Sequence, residues 1–155
     1  MAARIAEIRD AAVAVIKAAA VANVITGTTA DVSAVAQLAV DPDEMTAGVR
    51  QVQVRAAGYA DGGPVTRGID ATDYRIQVAV VEVYTGAGDV PVSWLDDRLE
   101  WFDSCVVRAL GDARDSLSGA YALSLDDVEI DEEQLTDKWL VWLQAGVTLR
   151  DERAV

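Results

Sequence analysis

Apolar and polar residues alternate most clearly between Asp73 and Tyr84, with the two-residue period of a β-strand. The first half of this segment has one apolar face and one polar face, which predicts a strand buried on one side. From Ala79 onward the second face is apolar as well, because Val81 and Val83 lie on it. A strand that is apolar on both sides in a chain of 155 residues predicts that something outside the chain covers its second face.

Three- and four-residue spacing of apolar residues predicts two amphipathic helices, at 3–22 and 93–110. Ser93 is the predicted N-cap of the second helix. Alternating apolar residues predict further strands at 49–57, 121–130 and 137–149. Residues 24–43 give a mixed signal, compatible with a strand or a short helix, and that segment stays open.

The order of these elements is helix, strand, strand, helix, strand, strand. It predicts an α+β fold, with an antiparallel sheet of about four strands and two main helices packed on one face. The glycines and proline of Asp61–Pro64 predict a long loop that joins 49–57 to 73–84 as an antiparallel hairpin. Residues 1–155 are predicted to form a single domain, because that length suits one hydrophobic core.

The last predicted strand, like the one at 73–84, is apolar on both faces along part of its length. Its main apolar face runs from Trp139 to Leu149, and Leu140 and Trp142 make the opposite face apolar at the start. Two helices on one face of the sheet cannot cover these residues, and exposed apolar patches of this kind mark interfaces. The prediction is a subunit interface that contains Val81, Val83, Leu140 and Trp142.

The residue types present argue against an enzyme. The chain has no histidine, so Cys-His and Ser-His-Asp catalysis and histidine metal sites are excluded. The single cysteine, Cys105, excludes an intramolecular disulfide, and its place in a helical apolar pattern predicts a buried structural thiol. The acidic run at 126–133 lacks the glycine and the spaced bidentate glutamate of a calcium loop, so we expect a solvated loop there. No cofactor and no metal are predicted.

Charge narrows the choice of partners. The net charge is −13, and it is uneven: residues 1–78 carry nine acids and seven bases, whereas residues 79–155 carry seventeen acids and six bases. Proteins that hold phosphates have the opposite sign, so nucleic-acid binding is disfavoured, although an acidic surface lets DNA slide past. Charged residues interrupt the alanine-rich N-terminal segment, which is too polar for a signal peptide or a membrane span. We expect a soluble, intracellular protein.

The arrangement of residue classes resembles the tail-terminator (tail-completion, neck) proteins of long-tailed phages. The matching pieces are the helix at 3–22, the segments 43–54 and 66–80, the acidic-faced helix at 93–110 and the strand at 139–150. They cover nearly the whole chain, and each is a pattern of residue class and not a signature motif. Residues 24–42 have no clear counterpart in that family.

The resemblance implies a hexameric ring that caps the tail tube, ends its polymerisation and joins the tail to the head. It implies the tail-tube protein and the head–tail connector protein as partners, a lumen through which DNA passes without specific binding, and a place in the virion after assembly in the host cytoplasm. Three alternatives stay open: a neighbouring tail-tube or head-closure protein, a generic dimeric α+β binding module, and a small metal-dependent enzyme that uses the carboxylates at 126–133.

Overall fold

Helices and one mixed β-sheet form the part of the chain that the computed structural model describes. That part comprises residues 4–25, 27–36, 38, 48–66, 68–113, 117, 122–125, 129–130 and 141–154. The elements in chain order are α1 (Arg4–Ala22), β1 (Thr29–Ala34), β2 (Val49–Thr66), β3 (Ile69–Glu82), α2 (Val92–Phe102), a π-helical stretch (Asp103–Arg108), α3 (Ala109–Asp112), β4 (Ala122–Leu125), β5 (Glu129–Ile130) and β6 (Val141–Ala154). The predicted α+β class is confirmed.

The described strands lie in the order β1-β2-β3-β6-β4, and β5 pairs with β6 beside β4. All pairs are antiparallel except β1 with β2, which run parallel with Val32 opposite Val52. The prediction of about four antiparallel strands is therefore only roughly right. The difference arises mainly in the segment left open at 24–43, which contributes the parallel edge strand β1.

The β2–β3 hairpin is longer than predicted, because Asp61–Pro64 continues β2 and does not form a loop. Register shifts occur between Ala56 and Gly58, between Asp61 and Gly63, and between Pro64 and Thr66. At a bulge one residue is left out of the ladder, so residues that disfavour regular strands are tolerated. Gly63 has a φ of +77°, and its N–H donates to the Asp61 carboxylate at 2.8 Å.

The predicted second helix is present, but its start and its middle differ from the expectation. Pro91 and not Ser93 is the N-cap, and no side chain caps the first turn. Proline is compatible with this position, since the residue before the first helical turn has an extended backbone and Pro91 has a φ of −66° and a ψ of 145°. From Asp103 to Arg108 the helix widens into π-helical geometry, a rare feature inside helices, before it closes as α3.

The hydrophobic core lies between one face of the sheet, which we call the first face, and the helices. These are α1 and the second helical segment, which comprises α2, the π-helical stretch and α3. The main side chains of the core are Ile8, Ala12 and Ile16 from α1, Val32 from β1, Val52 and Val54 from β2, Ile76, Val78 and Val80 from β3, and Phe102, Cys105, Val106 and Leu110 from the second helical segment. The alternate residues of β2 and β3 thus share this face, as the strand period requires. The core leaves the opposite face of the sheet to other contacts.

Phe102→Ala tests this core. Phe102 is 1% exposed, so truncation of its ring should lower the free energy of unfolding by about 3–5 kcal/mol through lost burial and a cavity. Chemical denaturation followed by circular dichroism measures the loss. Val92→Ala is the control, because Val92 is 76% exposed and its truncation should change stability by no more than about 0.5 kcal/mol. A loss below about 1 kcal/mol for Phe102→Ala would contradict the described packing.

Candidate functional site

The four predicted interface residues differ in their exposure and in how much of each the structure describes. Val81 is 0% exposed in the single chain and Val83 is partly exposed. Trp142 is described by its backbone, which pairs with Val81, and Leu140 lies outside the described residues. The expectation that a neighbour must cover Val81 is therefore wrong. For Val83, Leu140 and Trp142 the interface stays a prediction.

The second face of β3 divides into two halves. Ala79 and Val81 in the upper half have no exposed surface in the single chain, so this half of the face is covered within the chain. In the lower half the residues on this face are Gln77, Arg75 and Asp73, and Arg75 is exposed. Among the described residues of β3, the exposed part of the second face is thus polar, and Ala79 and Val81 are already covered.

Arginines from three strands meet on this polar half. Register places Arg55 of β2 opposite Gln77, and Arg150 of β6 opposite Asp73, so both share a face with Arg75. We call Arg55, Arg75 and Arg150 the arginine patch. Arg55 Nε donates to Gln77 Oε1, and Arg55, Arg75 and Gln77 line a cleft of about 230 Å³.

Charge within the patch is only partly balanced. Arg150 Nε and Nη2 donate to the two oxygens of Asp73 at 2.9 and 3.1 Å. These hydrogen bonds lower the pKa of Asp73 below its ordinary value, so Asp73 stays ionised and offsets one arginine. Arg75 has no ion-pair partner among the described residues. Among the described side chains of this surface, three arginines thus face one acid, on a chain whose total charge is −13.

Among the described residues, nothing pairs with the edge of β2 beside this patch. β1 pairs with β2 only along 49–54, and the last hydrogen bond runs from the Val35 N–H to the Val54 carbonyl at 2.9 Å. From Arg55 to Thr66, no strand of the described chain pairs with β2 on that side. An open edge presents unpaired N–H and C=O groups that can bind another chain. Tyr59 lies on this segment, 73% exposed, with its ring 6.2 Å from that of Tyr74.

A buried ion cluster lies on the core side of the same sheet. Arg50 of β2 is 1% exposed, Glu82 of β3 is 2% exposed, and Arg98 of α2 is also buried. Arg98 Nε donates to Glu82 Oε2 at 2.6 Å, and Arg50 Nη2 lies 3.1 Å from Glu82 Oε1. The second contact is an ion pair; Glu82 Oε1 and Arg50 Nε accept or donate no hydrogen bond among the described residues. The cluster carries one net positive charge.

Two tryptophans flank the cluster. The Arg50 guanidinium lies 4.4 Å from the ring centre of Trp101, and the Arg98 guanidinium lies 4.1 Å from that of Trp94. Trp101 Nε1 donates to the Asn23 carbonyl at 2.9 Å, which ties the end of α1 to α2. The rings thus contribute cation–π attraction where water is excluded.

Burial sets the protonation of the groups around the cluster. Desolvation lowers the pKa of Arg50, and the neighbouring Arg98 lowers it further, while Glu82 acts in the opposite direction. Cys105 is fully buried, and desolvation raises its pKa to about 11 although Arg50 opposes the shift. The thiol is therefore protonated near neutral pH and is a poor nucleophile. This confirms the predicted buried thiol.

A cleft of about 380 Å³ adjoins the cluster, between the end of α1 and β1. Arg50 and Trp101 line it together with apolar residues such as Val24 and Ile25. Within the described residues no group of acids or cysteines has the arrangement of a metal site. The metal alternative at 126–133 lies outside the described residues, apart from the β5 backbone at Glu129–Ile130.

The sequence contains a signal for this cluster that the spacing of apolar residues alone does not reveal. Arg50 alternates with Val52 on the apolar face of β2, and Glu82 alternates with Val80 on the apolar face of β3. A charge at an apolar position of a strand indicates a buried pair when an opposite charge occupies the neighbouring strand. The antiparallel register that places Arg50 beside Glu82 was needed to recognise it.

Glu82→Gln tests the cluster. The substitution leaves two buried guanidinium groups without their carboxylate, so we expect the free energy of unfolding to fall by about 3–5 kcal/mol. Asp103→Asn is the matched control: it breaks the exposed pair between Asp103 and Arg108, and it should cost less than about 1 kcal/mol. Equal losses in the two variants, measured by denaturant unfolding, would show that the buried cluster contributes no more than a surface pair.

No helix of the described residues has the length and apolar content needed to cross a membrane. Compared with known families and characterised proteins, the chain matches no family model and no curated protein.

Proposed function

We propose that the chain is a structural virion protein of the tail-terminator type, which assembles as a closed homo-oligomer, a hexameric ring, at the end of a phage tail tube. The ring ends polymerisation of the tail-tube protein and presents its other face to the head–tail connector protein. DNA crosses the lumen without specific binding. The role involves no catalysed reaction.

The observation that carries the proposal is the edge of β2 from Arg55 to Thr66, with which no strand of the described part of the chain pairs. A long strand with one unpaired side is a hazard in a protein that works alone, since it recruits other chains without control. In a closed ring a neighbour covers the edge of each subunit, and no edge is left over. The exposed ring of Tyr59 supports this reading, because aromatic side chains are enriched in interfaces.

The charge of the chain agrees with this role. A surface with a net charge of −13 repels the phosphates of passing DNA. The interface predicted from the sequence at Val83, Leu140 and Trp142 adds apolar contact to the edge contact in this proposal. The buried cluster of Arg50, Glu82 and Arg98 belongs to the stability of each subunit and not to its assembly.

Particle mass and shape test the proposal. Six chains of 16.5 kDa give a ring of about 99 kDa, which light scattering after size exclusion and class-averaged electron micrographs should detect. Stacked tubes would favour the tail-tube alternative, and a twofold particle of two chains would favour the dimeric binding module. Monomers at every concentration and after chemical cross-linking would contradict assembly through the chain's own surfaces.

Tyr59→Ala tests the open edge. We expect intact secondary structure but a lower fraction of rings at a fixed concentration, because truncation of an exposed aromatic residue on the contact surface removes buried area and costs roughly 1–2 kcal/mol per interface. Val21→Ala, at an 80% exposed position on α1, is the control and should assemble like the parent chain. The same ring fraction in all three proteins would place the interface elsewhere.

A further inference from the structure

The second helical segment carries an exposed acidic surface. Asp96, Asp97 and Glu100 are all exposed on α2, and we call them the acidic face. None of them forms an ion pair with a described residue. Their helix packs Trp101 and Phe102 into the core, so the acidic face points away from the core side of the sheet.

The acidic face and the arginine patch lie on opposite sides of the molecule. The patch lies on the second face of the sheet, whereas α2 covers the first face, where Arg98 reaches Glu82. The two surfaces of one subunit therefore cannot neutralise each other. Each has an uncompensated charge of the sign that the other lacks.

We propose that the acidic face of α2 in one subunit docks on the arginine patch of the next. This rests on the proposed ring and deepens it, since it names the two surfaces that meet. Carboxylates of the neighbour contact the Arg55 and Arg75 guanidinium groups, which present several donors in a fixed geometry. The same carboxylates accept hydrogen bonds from the unpaired N–H groups of the adjacent β2 edge.

The geometry decides the kind of assembly. A contact between two different surfaces is head-to-tail; it gives a closed ring when the rotation between neighbours closes and an open filament when it does not. A twofold dimer uses one surface twice, which would bring two arginine patches or two acidic faces together. Charge thus favours head-to-tail assembly, of which the proposed ring is the closed form, over the twofold dimer, because like charges opposed across an interface weaken binding.

A second copy of the chain fits the patch better than DNA does. Asp73 lies within the patch and holds Arg150, so few free positive charges remain for a phosphate backbone. DNA presents a long row of phosphates, most of which would face the acidic remainder of a chain of net charge −13. The acidic face of another copy is small, so it needs to contact only the arginine patch and its immediate surroundings. DNA is therefore one of the outcomes that the test distinguishes.

Charge reversals in two separate chains test the contact. Arg75→Glu alone opposes acid to acid, and Asp97→Arg alone opposes base to base, so each should weaken assembly by roughly tenfold at low salt. An equimolar mixture of the two variants should restore rings, because opposite charges then meet at every contact between unlike chains. The difference in assembly between each variant and the parent chain should shrink between about 0.1 M and about 1 M sodium chloride, because the Debye length falls from about 10 Å to about 3 Å.

Asp112→Arg is the matched control, because it makes the same charge change at an exposed acid on α3, outside the acidic face. It should assemble like the parent chain and should not rescue Arg75→Glu. If the parent forms rings and both reversals form them equally well, the docking surfaces are wrong while the ring stands. If the parent forms no closed particle, the proposed function itself fails. Loss of duplex-DNA binding in Arg75→Glu with unchanged assembly would overturn the proposal in favour of DNA.

Discussion

The ion cluster of Arg50, Glu82 and Arg98 is the constraint on which the rest of the described structure depends. It joins β2, β3 and α2 at a point where water is excluded, and each charge can stay buried only while the other elements hold its partner. An apolar contact in the same place would tolerate a shift of a few ångströms between helix and sheet. The cluster does not, because a displaced α2 would leave Glu82 with one guanidinium partner. It therefore sets the position of α2, and with it the direction in which the acidic face points.

The two faces of the sheet are closed by different means. The first face is covered by α1 and the second helical segment, which share one apolar core with it. The second face is closed near Ala79 and Val81, and it becomes polar and charged toward Arg75. Among the described residues, Ala79 and Val81 therefore need no partner to cover them. In the proposed assembly a neighbour contributes by covering the edge of β2 and by balancing charge, which are weaker and more salt-dependent interactions than core burial.

The sequence pattern predicted the elements whose periodicity is long and regular. Helix α1 and strand β3 were predicted within a few residues, since their apolar spacing reports directly which side is buried. Asp61–Pro64 was predicted as a loop because glycine and proline break regular strands, but bulges absorbed them. Val81 was assigned to an interface because the pattern shows only that a face is apolar, and the cover comes from within the chain. The buried cluster was missed because Arg50 and Glu82 are far apart in sequence.

In the proposed ring, the overall negative charge of the chain requires that the contact between neighbours include a locally positive surface. A chain with a net charge of −13 repels its own copies, and closing a ring brings several such chains together. Repulsion is smallest where a positive surface faces a neighbour, and the arginine patch is such a surface within the described residues. Neighbouring subunits of the proposed ring then share one relative orientation, because the acidic face meets a patch of opposite sign only in the head-to-tail arrangement. The general acidity that keeps free subunits apart and DNA unbound is thus compatible with a ring, provided that the patch stays positive.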